Sequence, residues 1–228
     1  MQITRRFFTL LLAALLFSSC SMLPGLVSSA QNEFDEGLVL FNSGRYQEAA
    51  ARFQKATELD ANFGRAYLYL GRSYVNLKSW RQALDPLRTA YRLIPEDTKG
   101  EALSILIDAL FAVGLDAFKA GDFLSAIGSL KEILGLQPTS AKARSELVNV
   151  LVGYGSSLLS GGNVTQAVGE YTEAVKLMPT SFDALFGLAR AFFRNGEYFK
   201  ALQTAEEALR FNPSHPDLQS LLQELRRK

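Results

Sequence analysis

One cysteine, one histidine and one tryptophan are all that this 228-residue sequence holds of those three residue types. A single cysteine, Cys20, excludes an internal disulfide and a thiolate metal cluster. A single histidine, His215, removes most zinc, haem and general-base schemes, and it sits in a turn, Asn212-Pro213-Ser214-His215-Pro216, where a solvated side chain is expected. Charge of one sign is missing too. With 24 Lys and Arg against 23 Asp and Glu, the net charge of +1 offers no basic field for nucleic acid. No Gly-rich phosphate loop, GxSxG elbow or His-Glu metal motif occurs, so no cofactor or catalytic centre is expected. Acids such as Glu48, Glu58, Glu170 and Glu173 share helix faces with Lys and Arg and read as solvated surface. Apolar residues, by contrast, make up 48% of the chain against 21% charged, enough for a sizeable core in one or two domains and too many for disorder. This balance favours an interaction or scaffold protein over an enzyme.

The apolar run Phe7–Phe17, broken only by Thr9, is too short for the roughly 20 residues that a membrane crossing takes. Arg5 and Arg6 precede it, and Ser18, Ser19 and Cys20 follow. A charged start, a short apolar stretch and small residues at a boundary describe a cleaved export signal over residues 1–19. Phe17-Ser18-Ser19-Cys20 resembles the bacterial lipobox, although that pattern more often has Leu at the position of Phe17 and Gly or Ala at that of Ser19. The resemblance implies a covalent lipid on Cys20 and anchoring to a membrane. Ser21 after the cysteine implies sorting to the periplasmic face of the outer membrane of a diderm bacterium. Two or more acyl chains hold a protein stably where one does so only marginally. The stretch Thr4-Arg5-Arg6-Phe7-Phe8 also resembles the twin-arginine export motif, with general secretion the favoured route and twin-arginine export the alternative. Residues 20–30 then read as the lipidated cysteine and a tether of at most about 35 Å.

Beyond the tether a phrase recurs five times: a small or polar turn, an Ala, a large apolar residue four positions on, a second Ala or Ile, and often a Pro. It appears as Gly44-Arg45-Tyr46-Gln47-Glu48-Ala49 with Phe53 and Ala56, and as Trp80-Arg81-Gln82-Ala83 with Leu87, Ala90 and Pro95. Gly121-Asp122-Phe123-Leu124-Ser125-Ala126 follows with Leu130, Ile133 and Pro138, then Asn163-Val164-Thr165-Gln166-Ala167 with Tyr171, Ala174 and Pro179. The last copy is Gly196-Glu197-Tyr198-Phe199-Lys200-Ala201 with Ala205, Ala208 and Pro213. Apolar residues at helical spacing in two segments around a turn make each unit a helical hairpin. Gly71, Ala83, Gly114, Ala126, Gly155 and Ala167 are small enough to let the two helices approach closely.

These residues resemble the tetratricopeptide repeat, seen best in Tyr67-Leu68-Tyr69-Leu70-Gly71-Arg72-Ser73-Tyr74. The resemblance implies an all-α, right-handed superhelical solenoid of about five hairpins, at about 30–63, 64–97, 98–140, 141–181 and 182–215, with a capping helix over 216–228. Successive closing positions, Ala61, Pro95, Pro138, Pro179 and Pro213, lie 34, 43, 41 and 34 residues apart. The two middle repeats therefore hold about two extra helical turns each. Thr98-Lys99-Gly100-Glu101 has the form of a capping box and predicts a helix from there to about Lys119, with another from Ser140 to about Ser160. Glu33 and Glu36 in repeat one, where large apolar residues are usual, read as a solvent-facing cap.

The first helix of each hairpin lines the concave side in proteins of this family. Its residues outside the core pattern would then face a groove, and aromatic residues among them suit a peptide or an amphipathic helix. The expected binding residues are Phe34, Leu38, Phe41, Tyr69, Phe111, Phe118, Phe186 and Phe193, with Arg72, Arg190 and Arg194 to orient an acidic partner. Phe34, Leu38 and Tyr69 stand at the positions of the family's charged clamp for chaperone tails, so that partner is not expected. The competing reading buries these rings in the core. The functional expectation is a membrane-anchored lipoprotein that docks proteins in the cell envelope, resembling those that assemble secretion or type IV pilus machinery or recruit cell-wall enzymes. A carrier of a lipid or small apolar ligand is the alternative.

Overall fold

The structure, a computed structural model, describes residues 24–228. The export signal over residues 1–19, the lipidation at Cys20 and Ser21 lie outside the described residues. Every regular element among the described residues is an α-helix: α1 (Pro24–Asn42), α2 (Tyr46–Leu59), α3 (Gly64–Asn76), α4 (Trp80–Leu93), α5 (Lys99–Lys119), α6 (Phe123–Leu136), α7 (Ala141–Ser160), α8 (Val164–Leu177), α9 (Phe182–Arg194), α10 (Tyr198–Leu209) and α11 (Pro216–Leu225). The segment read as a tether is helical from Pro24 on, and Ala30 is buried in the first hairpin. The chain forms two compact units, one ending at Leu106 and one running from Ile107 to Lys228.

A single turn design recurs five times. After α1, Gly44 N–H donates to Phe41 O at 3.0 Å and Arg45 N–H to Leu40 O at 2.9 Å. The same pair of bonds follows α3, α5, α7 and α9, at Lys78 and Ser79, Gly121 and Asp122, Gly162 and Asn163, and Gly196 and Glu197. This is the Schellman closure, which satisfies the last carbonyls of a helix at the cost of one residue with positive φ. Four of the five carry glycine there, at φ between 77° and 82°, and Lys78 adopts φ 58° in their place. At the other helix ends, Ser140 and Ser181 accept the backbone N–H of Ala143 and Ala184. The expected box at Thr98 places the start of α5 correctly but forms differently. The Thr98 hydroxyl donates to Pro95 O, and Glu101 pairs with Arg72 instead.

Hairpins and their neighbours are locked by large side chains of the second helices set against glycines of the first. In the N-terminal unit a Cβ on Gly37 would lie 2.6 Å from the Phe53 ring, and one on Gly71 would lie 2.5 Å from Leu87. In the C-terminal unit the same part is played by Tyr171 of α8, almost fully buried between α7 and α9. A Cβ on Gly155 would lie 2.8 Å from its ring, and one on Gly187 only 2.1 Å from it. Its hydroxyl is within 2.8 Å of Ser156 Oγ, so the buried phenol has a partner. The last hairpin is closed by α11, whose Leu218, Leu221, Leu222 and Leu225 are buried with Leu185 of α9 and the alanines of α10. Each such leucine contributes about 2 kcal/mol through its burial.

Two polar expectations are corrected here. Glu33 does not face solvent: it is 9% exposed and held by Arg52 and Lys55 of α2, whose hydrogen bonds keep its carboxyl below the ordinary value. Glu36, which is exposed, joins the same network through Arg52 at 3.0 Å. His215 is half-buried rather than solvated. It caps α11, with Nδ1 3.4 Å from Leu218 N, and its ring lies against Phe182 and Phe186 at 4.9 and 5.0 Å.

The turn and wedge geometry fixes the sign of three substitutions. Lys78→Gly removes a left-handed conformation that costs a side-chain-bearing residue about 1 kcal/mol, and should raise the urea midpoint accordingly. Gly187→Ala should destabilise by about 1–3 kcal/mol despite alanine's better helix propensity, because its methyl overlaps the Tyr171 ring. Gly169→Ala, on an exposed face of α8 with nothing within 4 Å of the new methyl, should instead stabilise by about 0.5–1 kcal/mol. Equilibrium urea unfolding of the three variants checks all of these signs.

Candidate peptide-binding face

The expected binding residues all lie on the first helices α1, α3, α5 and α9, but the structure gives them different fates. In the N-terminal unit the rings are packed against one another. Phe34 is 1% exposed, which overturns its assignment to an open groove. It is surrounded by Phe53, Phe63 and Tyr69, with ring centroids at 5.6, 4.8 and 5.6 Å. Phe41, Leu38 and Tyr69 are half-buried in the same cluster, Tyr69 standing edge-on to Phe41 at 5.4 Å. Arg72 is committed as well. Its guanidinium lies 4.8 Å from the Tyr69 centroid and 5.3 Å from that of Phe41, and Nη1 is 2.9 Å from Glu101. An arginine stacked on two rings and paired with a carboxylate holds this cluster closed rather than orienting a partner.

In the C-terminal unit two clefts stay open on the first-helix side. One, of about 170 Å³, has Phe111, Leu115 and Phe118 of α5 on one wall and Lys142, Glu146 and Val150 of α7 on the other. Leu115 is 49% exposed, unusual for a leucine on a packed helix. Phe118 is braced from behind. A Cβ on Gly153 would lie 2.9 Å from its ring, and Phe123 meets it edge-on at 6.0 Å. The Lys142 ammonium lies 4.3 Å from the Phe111 centroid, a cation held over a ring at the rim.

The second cleft, of about 420 Å³, brings together Phe186, Arg190, Phe193 and Arg194 of α9, facing Leu221 and Glu224 of α11. Arg190 is exposed and its guanidinium lies 5.6 Å from the Phe186 centroid. Arg194 is fixed by a bond from Nη1 to Leu159 O, a carbonyl near the C-terminus of α7, at 3.0 Å. This carbonyl also accepts the Gly162 N–H at 3.2 Å, so Arg194 adds a second donor there, and a cation at the C-terminal end of a helix suits its dipole. Phe186 and Phe193 pack with one side against the core of the last hairpin.

The structure thus brings the four α9 residues to one cleft and adds an opposite wall on α11 that the sequence did not indicate. Sequence reasoning also missed Lys142, Glu146 and Val150. The lengthened spacing of repeats three and four carried that signal, since Lys142 and Glu146 lie in the extra turns of α7.

Chemistry beyond binding is sparse. Among the described residues no group of three or more His, Cys, Asp and Glu is placed to hold a metal. Glu170 on α8, half-buried rather than solvated, is held above its ordinary pKa by partial burial and by Glu173, against the pull of Lys131. Lys131 itself pairs with Glu173 at 2.8 Å. Among the described residues no helix is long and apolar enough to cross a membrane.

The hairpins, their turns and their glycine contacts are those of one family. The tetratricopeptide repeat model matches residues 34–98 and 155–216, more than half of the chain, and this chain belongs to the tetratricopeptide repeat family. A TPR repeats protein from Bacteroides fragilis is similar in fold, with TM-score 0.61 and 17% identity over 87% of this chain and 98% of that one. A human RPAP3 TPR domain in complex with an HSP70 peptide is 19% identical over 54% of this chain and 95% of that chain, with TM-score 0.37. No curated protein matches the chain. The repeat fold suggests a protein–protein interaction scaffold, and proteins of this family are generally non-catalytic interaction modules.

The contrast between buried and open rings is measurable. Phe34→Ala should cost about 3–5 kcal/mol of stability, the usual loss for a fully buried phenylalanine. Phe111→Ala, at a half-buried ring lining an open cleft, should cost distinctly less. Thermal melts of the two variants side by side check the order, and equal losses would place Phe111 in the core.

Proposed function

We propose that this protein is a membrane-anchored lipoprotein that serves as a non-catalytic docking scaffold in the bacterial cell envelope. The observation that carries the docking reading is the pair of open clefts on the first helices of the C-terminal unit, walled by phenylalanines and rimmed by Arg190 and Lys142. Aromatic and arginine side chains at the mouth of a cleft are the groups that dominate binding energy in protein interfaces. The anchoring reading rests on the sequence Phe17-Ser18-Ser19-Cys20 after a short apolar run. Assembly of a secretion or type IV pilus machine, or recruitment of cell-wall enzymes, is the role that such an anchored scaffold fits. The expected site is the periplasmic face of an outer membrane.

Two measurements test the two halves separately. Cys20→Ser should abolish incorporation of a labelled fatty acid and release the protein from membranes, whereas equal labelling of both forms would refute the anchor. Cross-linking and affinity recovery from solubilised membranes should yield a protein partner that is lost on Arg190→Glu with the melting temperature unchanged. A partner retained by Arg190→Glu, or none recovered by the folded wild-type chain, would remove the α9 cleft as the docking site.

A further inference from the structure

The two units solve the same packing problem in different ways, and the difference identifies what one cleft lacks. Aligning Gly114 with Gly37 makes Phe111, Phe118 and Leu130 the counterparts of Phe34, Phe41 and Phe53. In the N-terminal unit the space over those three rings is filled by Tyr69 of the next repeat, with centroids 5.4–5.6 Å from all three. In the C-terminal unit Phe111, Phe118 and Leu130 all line the open 170 Å³ cleft. Aligning Gly155 with Gly71 makes Gly153 the counterpart of Tyr69; it sends no ring over Phe111, and its backbone lies against the back of the Phe118 ring. An apolar cavity of about 150 Å³ accommodates one benzene ring.

The extra turns of α7 shape the mouth of this space. They carry Lys142 and Glu146 one turn apart, and these are the two charged residues among those lining the cleft. One cation and one anion at the mouth complement a segment of mixed charge and disfavour a polyacidic or polybasic one. Among the described residues Lys142 forms no ion pair, and its charge lies over the Phe111 ring.

We propose that the pocket over Phe111, Phe118 and Leu130 accepts a single aromatic side chain from a partner polypeptide of mixed charge, in the place that Tyr69 fills inside the chain's own first repeat pair. This deepens the docking reading above and rests on it. Leu115 at the mouth closes over the inserted ring, and Lys142 and Glu146 engage the charges flanking it.

The test uses the full chain with N-acetyl-tyrosinamide as the probe and methyl NMR as the readout. The methyl signals of Leu115, Leu130 and Val150 should shift saturably, with a Kd on the order of a millimolar for so small a ligand. N-acetyl-alaninamide should bind about tenfold more weakly or worse, since it lacks the ring. Leu115→Glu, at a position already half-exposed, should abolish the shifts without lowering the melting temperature. No saturable shift at these methyls, equal binding of both amides, or unchanged binding in Leu115→Glu would each overturn the proposal. Self-association in sedimentation experiments that blocks the probe would assign the pocket to a second copy and overturn the partner assignment. The docking scaffold is read separately, because its partner is recovered through the α9 cleft and responds to Arg190→Glu.

Discussion

A helical hairpin has one apolar stripe too many: closing its two helices on each other leaves a second face that only a neighbouring hairpin can cover. In this chain that requirement is met by a side chain of the second helix wedged against glycines of the first. Tyr171 is the extreme case, since two glycines, Gly155 and Gly187, give it room on both sides. The wedge sets a ring of the second helix directly against the backbone of the first helices on either side of it. It gives these glycines a packing role in helix interiors, where each costs about 1 kcal/mol in propensity relative to alanine. The Schellman turns follow from the same demand, because a hairpin that must present a fixed face needs a fixed turn, and four of five use glycine to make it.

Whether the first-helix face is open or closed is decided by what the next repeat sends into it. Around Phe34 and Phe41 the answer is Tyr69, with Arg72 laid across the rings and tied to Glu101. That unit spends its aromatics on internal cohesion, and the Glu33 network with Arg52 and Lys55 seals its outer side. Around Phe111 the next repeat sends Lys142, Glu146 and Val150 and no ring, and opposite α9 stands the polar outer rim of α11. The same residue types at the same repeat positions therefore serve cohesion in one unit and present open surface in the other.

Proteins of this family are generally interaction modules, which act through the shape and charge of such surfaces. The single histidine is spent on capping α11 and packing against Phe182 and Phe186. The carboxylates with shifted pKa values, Glu33, Glu48, Glu170 and Glu197, owe their shifts to neighbouring hydrogen-bond donors and charges or to partial burial.

The sequence by itself determined the repeat number, the all-α class and the lengths of α5 and α7, because periodicity and turn residues are local properties read directly along the chain. It also grouped Phe186, Arg190, Phe193 and Arg194, which share one helix face by their spacing alone. Only the tertiary structure decided that Phe34 is core and Phe111 is not, since identical spacing places both on the same face and burial depends on a residue one repeat away. The same holds for Arg72, whose partners Phe41 and Glu101 lie far along the chain, and for Glu33, an acid in a cap pattern that α2 turns inward with two cations. Fates of this kind depend on contacts between helices distant in sequence, and no pattern within a single repeat encodes them.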